Sequence, residues 1–239
     1  RYWDIDVHYA KASPEQLHLH VYVHNRGPES ADIHLLPTLW FRNTWSWDDP
    51  APPRPVITRD DADTSNAAWA VRASHAELGD YYCYGAQQSE LLFTENDTNV
   101  SLWGIPNDAR YVKDAFHRRV VNGEEAAVNP AMLGTKFAAW SRWSIAAGQR
   151  IRIDLVLSSE PLTQPFSDSE KTFATRRAEA DVFFDRMLPE ASPEDMRVLR
   201  QGLAGMIWTK QFFHYDVERW LEGDQLPPPQ SRRQGRNRR

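Results

Sequence analysis

The sequence predicts a β-sandwich over residues 1–165, followed by a helical segment over 166–239. Three observations lead there. Apolar and polar residues alternate strictly over 2–10 and again over 16–25. Further short strand-like runs, separated by turn residues, recur as far as residue 158. After Asp168 the apolar period lengthens from that of a strand to that of a helix. Strands first and helices afterwards imply a β domain joined to a helical one.

In the first run Trp3, Ile5, Val7 and Tyr9 share one face, with Asp4, Asp6 and His8 on the other. In the second, Leu17, Leu19, Val21 and Val23 oppose His18, His20, Tyr22 and His24. A polar loop containing Pro14 joins them, so the pair reads as a hairpin with one wet face. A register pairing residue 10 with 16 sets position 8 against 18 and position 6 against 20. Asn25-Arg26-Gly27-Pro28 is a turn, and 31–41 a further strand. The span 48–66 is rich in Pro and Asp and reads as a long polar loop. Strands are expected at 68–75, 81–87, 90–94, 136–146 and 150–158, with a helix near 109–121 decorating the sheet. Ala147-Gly148-Gln149 joins the last two strands.

From Asp168 to Leu188 the positions Phe173, Ala180, Phe183, Phe184 and Leu188 suit a helix. Ser192-Pro193-Glu194-Asp195 starts another: serine as N-cap, proline in the first turn, acids beside the positive dipole end. Behind it Leu199, Leu203, Met206, Lys210, Phe213, Val217 and Trp220 form one stripe of a long helix. Lys210 is its odd member, read as snorkelling from the edge of the apolar face. Gly223 and the proline-rich stretch after it end the helix. There is no internal repeat.

The 239 residues carry a net charge of −5, yet five arginines lie in the last eight positions. The body without them carries −10, which argues against a nucleic-acid-binding body. Cys83 is the only cysteine, so no intrachain disulfide is possible and export is not implied. No apolar run reaches membrane-spanning length. The absence of a signal peptide and of an initiator Met, with a start inside a strand pattern, suggests a fragment of a cytoplasmic protein.

Trp40, Phe41, Trp45 and Trp47 crowd into eight residues beside Arg42 and Asn43. Flat aromatic faces next to planar fork and amide donors suit sugar rings. The plainer reading makes the aromatics sandwich core. Alternation puts Trp40 and Arg42 on one face and Phe41 and Asn43 on the other, so one set is core, while Trp45 and Trp47 lie on a loop beyond. His8, His18 and His20 with Asp6 are candidate ligands for Zn²⁺ or Cu²⁺, although a solvated histidine-rich strand face explains them more simply, and no metal or cofactor is assigned. Glu95, Asp97, Asp48 and Asp49 are acidic, but sequence does not fix the separations that acid/base chemistry needs. Cys83 in Tyr82-Cys83-Tyr84 reads as an inert, packed thiol.

Several long words resemble bacterial members of glycoside hydrolase family 63. They are Val23-His24-Asn25-Arg26-Gly27-Pro28, the run Leu35 to Trp47, Leu91-Leu92-Phe93-Thr94-Glu95-Asn96, Tyr111-Val112-Lys113-Asp114-Ala115-Phe116-His117, and Leu203 to Val217. The resemblance implies an N-terminal super-β-sandwich, of which 1–165 is a part. It makes 166–239 a helical linker and the first helix of a six-fold (α/α) toroid. It also implies an inverting α-glucosidase acting on oligosaccharides, whose two catalytic carboxyl groups lie in the toroid beyond this chain. No catalytic residue is therefore assigned. Trp208, Lys210, Gln211, Tyr215 and Trp220 match a block at the sandwich–toroid junction, and with Trp45 and Trp47 they are the expected substrate-lining residues. The partners so implied are an oligosaccharide and the missing toroid, with no nucleic acid and no membrane.

Two other classes compete. A non-catalytic carbohydrate-binding sandwich module would use the platform at 40–47, but the helices after 168 argue against a compact module with its own termini. A cupin-like metal protein built on the histidine-rich hairpin would require bound metal.

Overall fold

A computed structural model describes residues 2–46, 52–61, 64–107, 109–209, 217 and 221. Two compact units divide the chain: Arg1–Asn43 with Pro53–Phe173, and Thr44–Pro52 with Ala174–Arg239.

The first unit is a sandwich of antiparallel sheets. Its strands are β1 (Trp3–Ser13), β2 (Gln16–Asn25), β3 (Ala31–Leu35), β4 (Thr38–Trp40), β5 (Val56–Asp60), β6 (Trp69–His75), β7 (Gly79–Gly85), β8 (Glu90–Thr94), β9 (Leu133–Gly134), β10 (Lys136–Ile145) and β11 (Arg150–Ser158). One sheet runs β1-β2-β11-β7-β6-β5-β9; in the other β10 pairs with β3, β4 and β8. The two inner faces share one core, in which Val23, Ile57, Val71 and Leu155 of the larger sheet meet Phe93 and Phe137 of the smaller. The Phe93 and Phe137 rings lie 5.1 Å apart. Burying each contributes on the order of 2–3 kcal/mol. Outside the smaller sheet, helix α1 (Ala115–Asn122) packs Phe116 and Val120 over Leu92 and Ala138. Outside the larger, Leu162 and Phe166 cover Ala70, Tyr84 and Val156.

Four sequence expectations change here. The hairpin pairs His8 with His20 and Ala10 with His18, because β1 runs on to Ser13 and turns tightly over Pro14-Glu15 into Gln16, with a register shift between Lys11 and Ser13. A slip of two residues leaves every side chain on its expected face. That polar face is wet only on β1, where Asp6 and His8 stay exposed; on β2 His18 and His20 are 0% and 2% exposed, because the start of α2 (Ser169–Met187) lies over them. Ile5, Val7 and Tyr9 on the other face of β1 are exposed as well, since β1 is an edge strand. The run 31–41 is two strands separated by Leu36 and Pro37, both on β10. Inside the expected loop 48–66 lies β5, whose Ile57 is core; its two apolar residues are too few to show a period.

In the second unit α2 continues from Ala174, and α3 spans Pro193–Thr209. Ser192 caps α3 as expected, its Oγ accepting from Asp195 N at 3.2 Å. Arg200 of α3 bonds Asp181 of α2 at 2.6 Å and sits 4.8 Å from the Phe184 ring. Trp47, Asp48, Asp49, Lys210, Gln211, Tyr215 and Trp220 lie outside the described residues.

Candidate functional site

At one end of the smaller sheet, Lys136 of β10 is flanked by Trp40 of β4 on one side and Thr94 of β8 on the other. Of the two faces that the alternation left open, the structure sets that of Phe41 against the core, 5.5 Å from the His75 ring. It leaves Trp40 54% exposed. Lys136 Nζ lies 5.4 Å from the Phe116 ring. Burial first, and the charge of Lys113 second, hold its ammonium below the usual lysine range.

The loop after β8 closes this end. Thr94 Oγ1 donates to Val112 O at 2.9 Å, and Glu95 N to Tyr111 O at 3.1 Å. Lys113 N donates to Asp97 O at 3.0 Å. Thr135 is the hinge of the network: its hydroxyl donates to Glu95 Oε2 and accepts from Asn96 N, both at 2.7 Å. The Asn96 amide donates to Phe41 O at 2.9 Å. Gly134 is required beside it, because a Cβ there would meet the Thr94 carbonyl oxygen at 2.3 Å. Three of the long words thus converge: Leu35 to Trp47 through Trp40 and Phe41, Leu91 to Asn96 through Thr94 to Asn96, and Tyr111 to His117 through Tyr111 to Lys113. The word Val23 to Pro28 has a structural role elsewhere. Buried Asn25 donates to Glu29 O and Ile145 O at 2.8 Å each and accepts from Gly27 N.

Chemically this end offers an exposed indole, Trp40, on the strand beside half-buried Lys136; the Thr94 and Thr135 hydroxyls are buried and spent within the loop network, so the indole is the group here suited to stacking on a sugar ring. Glu95 and Asp97 both lie against Arg54 Nη1, at 3.7 and 3.1 Å. Inverting glycoside hydrolysis instead sets two carboxyl groups across a water-sized gap. Arg54, Thr135 and Lys136 escaped the sequence reading because their partners are distant in the chain.

The remaining candidates fall elsewhere. Trp45, expected on an open loop, is 4% exposed in a short 3-10 turn, Thr44–Ser46. Trp208 is on α3. Among the described residues, no three His, Cys, Asp or Glu are grouped to hold a metal ion. Burial pushes the Cys83 thiol up to about 12, the environment of a packed, unreactive sulfur. A constellation the sequence did not reveal is His20 with Ser169 and Asp154. It has the residue types of a hydrolytic triad but not the geometry: Ser169 Oγ (3.0 Å) and Asp154 Oδ1 (3.4 Å) both approach Nε2, whereas a triad puts the carboxylate on the other ring nitrogen. Burial first, opposed by Asp154, lowers the pKa of His20; burial, then His20, lowers that of His18.

No described helix is long and apolar enough to cross a membrane. No family model matches the chain. It is 29% identical, over 279 aligned residues, to a Saccharomyces cerevisiae protein described as uncharacterized, YMR196W. The match covers 99% of this chain and 25% of the relative, so the chain spans about a quarter of the length of that protein.

Proposed function

We propose that the chain is part of a glycoside hydrolase of the family 63 kind, an inverting α-glucosidase acting on oligosaccharides. In this reading the sandwich is part of the enzyme's N-terminal super-β-sandwich, and residues 166–239 are the linker and first helix of an (α/α) toroid. The catalytic carboxyl groups lie outside the chain, and this end of the smaller sheet supports the substrate-binding side of the enzyme. The single cysteine accords with a cytoplasmic setting.

The observation that carries the reading is the convergence of three resemblance-bearing words on one sheet end, around an exposed Trp40. Exposed Trp40 also favours a second reading, a sandwich module that binds sugar without cleaving it. One experiment separates them. The 239-residue chain and the longer protein are each incubated with maltose and maltotriose, and glucose release and binding are measured. Hydrolysis by the longer protein alone supports the enzyme reading. Binding by the short chain, with no hydrolysis by either, supports the module. Hydrolysis by the short chain that is abolished by replacing one of its own carboxylates overturns both.

A further inference from the structure

His18 and His20 lie on the face of β2 turned away from the main core, out of water. His20 is gripped on several sides. Its Nε2 is 3.0 Å from Ser169 Oγ and 3.4 Å from Asp154 Oδ1. Its ring stacks on Phe173, centroids 3.8 Å apart and planes 23° from parallel. Beside it Arg152 bonds Glu170 at 2.6 Å and pairs with Asp154 at 2.8 Å. Ser169, Glu170 and Phe173 belong to the first five residues of α2, so these contacts dock the helix start on β2 and β11. Phe173 is also the last residue of the sandwich unit: the helix is continuous, but from Ala174 it belongs to the second unit.

We propose that His20 is a proton-operated clamp, whose neutral imidazole docks the first turn of α2 on the sandwich and whose protonated form releases it. The groups facing His20 are His8 from β1, His18 and Tyr22 from β2, Arg152 and Asp154 from β11, and Glu170 from α2, with Asp168 just ahead of the helix near His18. Asp154 and Glu170 both favour an imidazolium, yet both already serve Arg152. A proton on His20 therefore adds a second cation, on a ring that is itself out of water, to a pair of acids that already has one. Ser169 and Phe173 can be held equally well by a neutral ring.

The direction follows from linkage. Docked His20 titrates below its released value of about 6.5, so the released state binds more protons once the pH falls below that value. Docking is complete above it and weakens progressively down to the docked pKa. His18 titrates in the same sense but makes no hydrogen bond to α2; its Nε2 lies 3.1 Å from Gln16 Nε2.

The test is amide hydrogen exchange of the segment holding Thr172 and Phe173 at about pH 7.5 and about pH 5.0, corrected for intrinsic rates, with β6 and β7 as internal reference. In the wild type, protection of this segment should fall severalfold more than that of the reference strands, because the released state takes up the proton that the docked state refuses. His20→Gln, which keeps a hydrogen-bonding side chain but takes no proton, should abolish the excess loss. His18→Gln should keep most of it. An excess loss that survives in His20→Gln, or no excess loss in the wild type, overturns the proposal. An NMR titration of His20 in the wild type gives a readout that does not depend on a variant folding. A midpoint below 6.5 that moves together with the Phe173 ring signals supports the clamp, and a midpoint at or above 6.5 sinks it.

Discussion

Gly134→Ala tests how tightly the candidate site is built. β9 crosses against β8 so closely that an alanine Cβ at 134 would sit 2.3 Å from Thr94 O and 2.7 Å from its carbonyl carbon. Both are backbone atoms of a paired strand, so neither can swing aside as a flexible side chain would. The chain at 134 must move, and Thr135 moves with it. Overpacking of this kind costs about 1–3 kcal/mol. Separating Thr135 Oγ1 from Glu95 and from Asn96 N costs about 0.5–1.5 kcal/mol for each bond lost. If one or both bonds break, the expected destabilisation is about 1.5–6 kcal/mol, and at roughly 2–4 °C per kcal/mol the melting temperature should drop about 3–24 °C. Denaturant unfolding followed by tryptophan fluorescence and by far-ultraviolet circular dichroism measures it, and unchanged m-values would show that only stability moved. Gly148→Ala is the control. Its cost of about 1 kcal/mol comes from a left-handed φ of 68° with open space around the Cβ. A Gly134→Ala variant within about 0.5 kcal/mol of wild type, or less destabilised than Gly148→Ala, would refute the close crossing as the cradle of this network.

Phe41→Ala should cost about 2–4 kcal/mol through the cavity it leaves against the core, whereas exposed Trp40→Ala should stay within about 0.5 kcal/mol in thermal melts. In the longer protein, Trp40→Ala should raise the KM for maltotriose while leaving kcat nearly unchanged. Half-buried Cys83 should react with a thiol reagent at about pH 8 far more slowly than a free thiol, because its surroundings raise its pKa to about 12; labelling at the rate of a free thiol in the folded state would contradict this. Both buried histidines are depressed, so global stability should be flat from about pH 7 upward and fall as the pH drops below about 6.5. Stability that rises on acidification through this window would reverse the sign of the argument.

What the sequence disclosed was local. Residues 2–10 and 16–25 each carry a period of two, and the α3 start carries its serine cap, because one turn or one strand suffices to write either signal. What it hid was set by distant partners. The polar face of β2 looked solvated because the residues that cover His20, Ser169 and Phe173, lie about 150 positions downstream. The run around Trp40 looked like one strand because its break at Pro37 is compensated by β10, whose Ala139 N donates to Pro37 O. β5 went unnoticed because Val56 and Ile57 sit among prolines and acids, and only pairing with β6 and β9 makes them a strand. Glu95 and Asp97 revealed nothing alone; Arg54, Thr135 and Asn96 supply the geometry that makes them part of a site.

The most direct test of the proposed function is the stereochemical course of hydrolysis by the longer protein. An α-glucoside is added and the first glucose released is observed by proton NMR before mutarotation. Our reading predicts that β-glucose appears first, with Trp40→Ala slowing its release at low substrate and no release from the 239-residue chain alone. Release of α-glucose first, or no cleavage of any α-glucoside by the longer protein, would contradict it.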